Sequence, residues 1–478
     1  MAESRVALTF GVDQSVQKCV AMAAHKLRQN GLLEFRRCGR IAHKDAVIQK
    51  GCIRFDLGGI EFFKIRCLPD LMTGTEPLGS WREEEERIVH QYRVPSLHEV
   101  YRTDPACRHS RDEQACVERT VRHFLAIEGL CERVKPDLVG AEVGNESIRT
   151  VSHLVGTSQG ATSLFLMYTI FDRPLRLYAG TMDAPIVDRD ELRALSRAEA
   201  AELDDFIGRY TERDRPIRDY RKVRVNLTRA RLIARHLAVR AIWDRDNDYL
   251  TPGSWLLRDA REVVRARASR ALYMPEPSGS RFVYFPLHVT DDYKILRLRP
   301  HCVDQESIVA QIAGALPRGH ELVIKEHPMS IGRTSLGTLR RLARTPNVRL
   351  VAPHTSSLGL IRRSAGVATI ASTVGLEALL YTKPVLTLGR PFYSGYGVTL
   401  DLERPREIRD RVPELLEFNP ERERTRRLLH AAMLRCLPGA PVLVDHSDAN
   451  AAALAETLGR AATGELPEVL ASGPGVTR

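Results

Sequence analysis

The chain has 478 residues, 43% of them hydrophobic and 27% charged, with a formal net charge of +11 at pH 7. That is the composition of a globular protein with ample core, and the length argues for two domains. Nine cysteines, scattered from Cys19 to Cys436 without a CxxC pair, argue against a disulfide framework and a zinc site and fit a reducing compartment.

The first residues lack the basic start and long apolar segment of a signal peptide and read as a strand. Apolar stretches such as Leu164 to Tyr168 fall far short of the ~20 residues a spanning helix needs. The expectation is a cytoplasmic protein that does not cross a membrane. Arginine dominates the basic residues, which suits phosphate or carboxylate recognition. An anionic membrane or acidic glycan fits such a charge, as does a basic surface with no polyanion partner. Nucleic acid would rest on charge alone, with no aromatic-basic motif behind it.

In chain order, Arg5 to Phe10 reads as a short strand, and Gly11 to Ser15 as a turn into a helical pattern ending at Leu27. Trp81 to Arg87 belongs to charged surface helices and loops. Pro136 to Glu142 is a second strand, followed by Asn145 as a helix cap with Glu146 in the first turn. Ser163 to Phe171 is a third. Further on, Ala230, Ile233, Ala234, Leu237, Ala238, Ala241 and Ile242 share one helical face, with Arg229, Arg231, Arg235 and Arg240 on the others. Such a helix either packs with a solvated arginine face or lies on an anionic membrane. Asp244, Asp246 and Asp248 beyond it read as surface residues rather than a metal motif. Pro275 to Ser280 reads as a linker.

From Arg281 the pattern is regular. Apolar runs at 282–287, 321–326, 348–352, 366–371 and 384–388 alternate with helical segments near 304–315, 335–344, 356–364 and 374–381. Strands alternating with helices predict βαβ units and a parallel sheet. After Glu407 the chain reads as helical, and Asp448 to Leu458 is the last such segment.

Three polar clusters follow three of these strands, where open α/β sheets bind ligands. His288-Val289-Thr290-Asp291-Asp292 follows the first and offers a nucleophile, a base or a loop carboxylate in water. Lys325-Glu326-His327-Pro328 follows the second, with Pro328 stopping the strand. Ser372-Thr373-Val374-Gly375 opens a helix, where hydroxyls and free N–H groups either make a phosphate site or simply cap. Glu377 on its first turn either meets a ribose or favours the helix dipole.

These clusters resemble the capsule polysaccharide biosynthesis family, whose bacterial β-Kdo transferases use CMP-Kdo. Family members carry QxxxD after a strand, then KxHP, then a serine-rich turn before Gly-Leu-Glu-Ala. The matching positions are His288 to Asp292, Lys325 to Pro328 and Ser372 to Ala378, with Arg390 to Tyr393 and Gly397 to Thr399 similar to the family's closing loop. The likeness covers residues 280 to 400 well and the N-terminal half loosely.

The resemblance implies an α/β GT-B fold, with two Rossmann-like domains facing across a cleft and a C-terminal helix packing back on the first. The expected division is 1–275, with the basic helical insertion, then 281–440 for the nucleotide sugar, then a 441–478 tail. By position, Asp292 would be the catalytic carboxylate, and Glu142, or less readily Glu146, the acid/base from the N-terminal domain. His327 and Lys325 would bind the nucleotide phosphate and assist its departure, Ser372 and Thr373 would complete that site, and Glu377 would lie near the ribose. His288, where the family has glutamine, would touch substrate. No cofactor or metal is implied beyond the nucleotide-sugar donor, CMP-linked by analogy. The implied partners are that donor and an anionic glycan or glycolipid acceptor, with peripheral contact to the inner membrane or a capsule assembly complex. CDP-glycerol or UDP-sugar transfer, sugar-nucleotide epimerisation, and a non-catalytic assembly or export role share the same layout.

Overall fold

The computed structural model describes residues 5–9, 52–57, 60–65, 72, 74–141, 144–180, 192–212, 252–279, 281–440, 445, 447–462 and 465–466. The helical pattern ending at Leu27, the basic helix at 229–242 and Phe10 lie outside them.

Two six-stranded sheets organise the fold. The first contains β1 (Arg5–Thr9), β2 (Cys52–Leu57), β3 (Ile60–Ile65), β4 (Leu138–Ala141), β5 (Thr162–Tyr168) and β6 (Leu175–Ala179), in the order β2-β3-β1-β4-β5-β6. Its four inner strands run parallel, while β2 and β6 are antiparallel edges. Among the described residues four helices accompany it: α1 (Trp81–Tyr92), α2 (Leu97–Tyr101), α3 (Glu113–Val134) and α4 (Ser147–Ser158). They share a core built on Leu97, Val121, Phe124, Ile127 and Val151. Gly156 lets α4 lie against β4, because a Cβ there would sit 2.5 Å from Val139.

Among the described residues two helices follow, α5 (Arg197–Thr211) and α6 (Pro252–Ala268). The second sheet then alternates with helices in the predicted rhythm: β7 (Phe282–Pro286), α7 (Gln305–Ala315), β8 (Glu321–Lys325), α8 (Leu336–Arg344), β9 (Val348–Val351), α9 (Ser357–Arg363), β10 (Gly366–Thr369), α10 (Thr373–Leu380), β11 (Val385–Thr387) and β12 (Leu400–Asp401). Its helices open on short polar caps. Asp304, Ser335 and Ser356 accept from the amides of Ser307, Thr338 and Gly359 at 3.0–3.1 Å. The order is β12-β11-β10-β7-β8-β9, all parallel. Chain direction across the sheet therefore reverses between β7 and β10, which is where doubly wound sheets hold ligands.

Both faces of this sheet are covered. Phe282, Tyr284, Val323, Val367 and Val385 pack into one core, and Val283, Phe285, Leu322, Ile324, Ala368 and Leu386 into the other. Strands buried on both sides need continuous apolar runs, which is why this half reads so clearly. Each large side chain removed from water contributes roughly 1.5–3 kcal/mol.

Helices before residue 275 also serve this sheet. Leu203 and Phe206 of α5 join the first of these cores. The Met274 amide donates to the Leu350 carbonyl at 2.8 Å, alongside β9. In the opposite direction, after α11 (Ile408–Glu417) and α12 (Arg422–Leu434), the chain returns to the first sheet. Leu437 and Leu175 exchange backbone bonds at 2.7 and 3.1 Å, and Leu454 of α13 (Asp448–Ala462) crowds Gly439 beside Leu175. The C-terminal helix thus packs back on the first sheet's edge.

One predicted cap is corrected. Glu146 holds the cap position of α4 without a side-chain capping bond, its carboxylate accepting from Arg149 at 2.8 Å instead. Asn145 instead donates its amide to the Asp291 carbonyl at 2.7 Å, across to the second sheet. A carbonyl from the distant loop after β7 outcompetes the local cap.

Candidate functional site at the sheet switch point

The carboxyl ends of β7, β10 and β11 meet that of β5 around an open cleft whose empty space, bordering solvent included, is about 680 Å³. The second sheet supplies Tyr293, Lys294, Leu298 and Arg299 after β7, Ala371, Ser372 and Thr373 after β10, and Gly389 to Tyr393 after β11. The first sheet supplies Met167, Tyr168, Thr169 and Tyr178. The wall is aromatic, and its polar groups are hydroxyls and cations.

One corner of the cleft is the start of α10. Ser372 accepts from the Val374 amide at 3.2 Å, and its own amide donates to the Thr369 hydroxyl at 3.2 Å. Capping and phosphate binding are compatible here, since the first turn has more free N–H groups than one hydroxyl can satisfy. The fully buried Tyr393 donates to the Ser372 carbonyl at 2.5 Å. Gly375 makes that contact possible, because a Cβ would lie 2.2 Å from the Tyr393 hydroxyl. Asp401 secures the loop after β11 by accepting from Thr387, Thr399 and the Gly395 amide at 2.7–2.8 Å.

Opposite lie Lys294 and Arg299. Arg299 donates to the Gly389 carbonyl at 2.6 Å and still borders the cleft. Lys294 opens a π-helical turn, Lys294–Leu298, and its amide donates to the Asp292 side chain just before the turn at 2.9 Å. The turn docks on the first sheet's helices: Arg102 donates to the Leu296 carbonyl at 2.8 Å, and Arg297 to the Val100 carbonyl and Thr103 hydroxyl at 3.0 and 2.7 Å. Tyr293 closes the contact, its hydroxyl 2.7 Å from the Met167 sulfur.

His288 is buried and spans the switch point. Its Nε2 accepts from the Ala371 amide at 3.2 Å, and the Gln305 amide clamps its backbone with bonds of 2.8 and 3.2 Å. Burial, with Lys294 and His327 nearby, pushes its pKa down to about 3, so it is neutral at any ordinary pH.

The KEHP segment looks the other way. Lys325, 3% exposed, donates to the Thr355 carbonyl at 2.9 Å and to the Ser357 hydroxyl. Burial lowers it to about 8, against the pull of Glu377 and Glu276. Glu326 is buried, accepts from Tyr273 at 2.9 Å, and is raised to about 7 by desolvation. His327 accepts from the Met329 amide through Nδ1 at 3.1 Å. Surrounding protein lowers its pKa, helped by Lys325 and Lys294, while Asp292 opposes the shift. Glu377 accepts from Tyr210 at 2.8 Å.

Of the residues singled out from sequence, Ser372 and Thr373 line the cleft. His327 lies within electrostatic reach of His288 and Asp292, none of the three lines the cleft and His327 is exposed. Lys325 and Glu377 are engaged by neighbouring helices, and Glu142 lies outside the described residues. Sequence reasoning missed Lys294, Arg299, Tyr168 and Tyr178. The cations follow the end of β7, Pro286, by 8 and 13 residues, a signal available in principle, but the π-helical turn that carries Lys294 and ends at Arg299 has no periodicity to read. Among the described residues, no three His, Cys, Asp or Glu side chains are grouped as a metal site, and no helix is long and apolar enough to cross a membrane.

Residues 230–437 match the family model for capsule polysaccharide biosynthesis proteins. Among curated proteins, FixF of Sinorhizobium fredii is 33% identical over 135 residues, 28% of this chain and 32% of that protein. The capsule polysaccharide modification protein LipA of Neisseria meningitidis is 33% identical over 110 residues, 23% of this chain and 14% of LipA. The matched segment thus spans about a third of FixF and far less of LipA. Among solved structures, the β-Kdo 2,7 transferase of Thermosulfurimonas dismutans KpsC aligns with 66% of this chain and 85% of its own, at 16% identity and a TM-score of 0.33.

Proposed function

We infer that this chain, whose residues 230–437 belong to the capsule polysaccharide biosynthesis family, is a glycosyltransferase that moves a sugar from a nucleotide donor onto a capsular polysaccharide or lipid-linked glycan. A CMP-linked sugar, Kdo first, is the donor we assign. The observation that carries the reading is the cleft at the β7/β10 switch point. There a capped helix start bearing Ser372 and Thr373 faces Lys294 and Arg299, and Tyr168, Tyr178 and Phe392 offer flat apolar surface.

The chemistry asks for little more. A departing nucleotide phosphate gains negative charge, and preorganised N–H groups and cations stabilise it without reorganising. The α10 start, Lys294 and Arg299 take that part. Asp292 is the carboxylate we assign to the reacting carbon, fixed by its bond to the Lys294 amide. His327 supports the departing phosphate from behind, with Lys325 setting its surroundings. Glu377 serves the ribose edge. Glu142, beyond the end of β4, is the proposed acid/base from the first sheet. An anionic acceptor, and peripheral contact with an anionic membrane or assembly complex, suit the net charge of +11.

The test is thermal stabilisation by CMP, CDP, UDP, GDP and ADP, with and without magnesium. A nucleotide at ~100 times its dissociation constant adds about 2.7 kcal/mol of stability. Stabilisation by CMP supports the donor, a UDP preference moves it to another sugar nucleotide, and no response to any nucleotide overturns the transferase reading. Once turnover is in hand, Asp292→Ala should abolish it while leaving nucleotide affinity within about threefold.

A further inference from the structure

We propose that His288 is a positioning residue that couples the Asp292 loop to the phosphate corner of the cleft, and not a substrate contact. The proposal rests on the transferase reading for its consequence in turnover, but on geometry alone for the coupling itself.

Three observations carry it. First, the imidazole is the side chain that joins the loops on either side of the switch point. β7 delivers His288, and its Nε2 takes the amide proton of Ala371, the residue immediately before Ser372. Second, the ring is held from behind. The Gln305 side chain bonds both the His288 amide and the His288 carbonyl, and the neighbouring Leu287 amide donates to the Lys325 carbonyl at 2.9 Å. Neither end of the connection is free to drift. Third, the ring is 8% exposed and does not line the cleft. A ligand in the cleft meets Ala371, Ser372 and Thr373, and meets His288 only through them.

The tautomer follows from these bonds. An Nε2 that accepts from an amide carries no proton, so the single proton of the neutral ring is on Nδ1. Lys294 and His327 are the charged or titratable neighbours that bear on the ring, and both disfavour a second proton there. The link between the loops is therefore the same at every pH at which the protein works. Four residues beyond His288, Asp292 fixes the turn that presents Lys294 to the cleft. One imidazole thus sets the Ser372–Thr373 corner and the Lys294 corner relative to each other. A glutamine has a side-chain oxygen able to accept the Ala371 proton from a similar distance, whereas leucine and alanine have none.

The experiment compares His288→Gln with His288→Leu, with His288→Ala replacing the latter should leucine not fold. Hydrogen exchange of the peptide carrying the Ala371, Ser372 and Thr373 amides is measured without ligand. We expect exchange there to rise at least tenfold in the leucine variant and to stay near wild type in the glutamine variant. Wild-type protection in the leucine or alanine variant overturns the coupling, whichever nucleotide the protein uses. Binding of CMP and steady-state turnover are then measured on the same proteins. A tenfold or larger fall in kcat together with weaker CMP binding, both restored within about threefold by glutamine, supports the positioning role. Unchanged affinity and turnover in the leucine variant overturn it. So does loss of one limb of the pH–rate profile in the glutamine variant, since that would make the imidazole itself the group that moves a proton. If the wild-type protein binds no nucleotide, the transferase reading falls while the exchange result still decides the coupling.

Discussion

The end of β8 and the edge formed by β7 and β10 are built from the same parts, strand termini bearing polar side chains, yet they face different surroundings. At β8, Lys325 and Glu326 are met by protein, the loop before α9 and Tyr273, while His327 is exposed and accepts from the Met329 amide. At β7 and β10, Ser372, Thr373 and Lys294 meet open space with aromatic walls. A polar residue at a strand end becomes a ligand group only when the next helix and the opposite sheet leave room for it. Lys325 and Glu326 are held by protein outside the cleft, and the switch-point groups line it.

Four substitutions would break or sharpen this contrast. Gly375→Ala should have the largest effect, because its Cβ falls 2.2 Å from the buried Tyr393 hydroxyl that supports the Ser372 carbonyl. We expect a loss of about 3 kcal/mol in urea unfolding, together with loss of nucleotide binding. A loss below about 1 kcal/mol would show that the corner is not supported as described.

Glu326→Gln tests the closed edge through pH. Burial raises this carboxyl from 4.5 to about 7, so between those values the folded protein holds a proton that the unfolded chain releases. Its contribution is complete below about 4.5 and lost as pH rises through 7. Wild type should therefore lose about 2–3 kcal/mol from this group between pH 5 and pH 8, and the glutamine variant should lack that component. Urea unfolding at the two pH values measures it, and identical pH dependence in both proteins would refute the assignment.

Lys294→Ala tests the open edge. Removing a half-buried cation that borders the cleft should weaken nucleotide binding about tenfold, near 1.4 kcal/mol, while changing folding stability by less than about 0.5 kcal/mol. Calorimetric titration and unfolding together check the split. Asn145→Ala has the smallest expected effect, about 1 kcal/mol in unfolding, from the lost bond to the Asp291 carbonyl. An unchanged stability there would mean that the first sheet does not hold the Asp292 loop through this side chain.

Legibility divided along the same line. Every strand core and helix predicted between 282 and 388 is present to within a few residues, because double burial demands apolar runs and each helix begins on a serine, threonine or aspartate. The first sheet was harder to read. α3, at 22 residues the longest of its described helices, and the antiparallel edge strand β6 were not singled out from sequence: α3 packs on the helices that flank it, and β6 pairs with β5 just before it and, through Leu175, with Leu437. Asn145 shows the limit in one residue: its local pattern predicts a cap, and its partner is 146 residues away.

By itself, then, the sequence determined the order of strands and helices in the second sheet and the polar residues that follow its strands, because periodicity and capping are local properties of the chain. Tertiary structure decided which of those polar groups reach open space. The reversal of strand order puts β7 beside β10, so His288 meets Ala371, and the docking of the 294–298 turn on Arg102 and Thr103 brings Lys294 and Arg299 to the cleft. Those contacts join residues from 83 to 194 positions apart, and no window along the chain contains both partners.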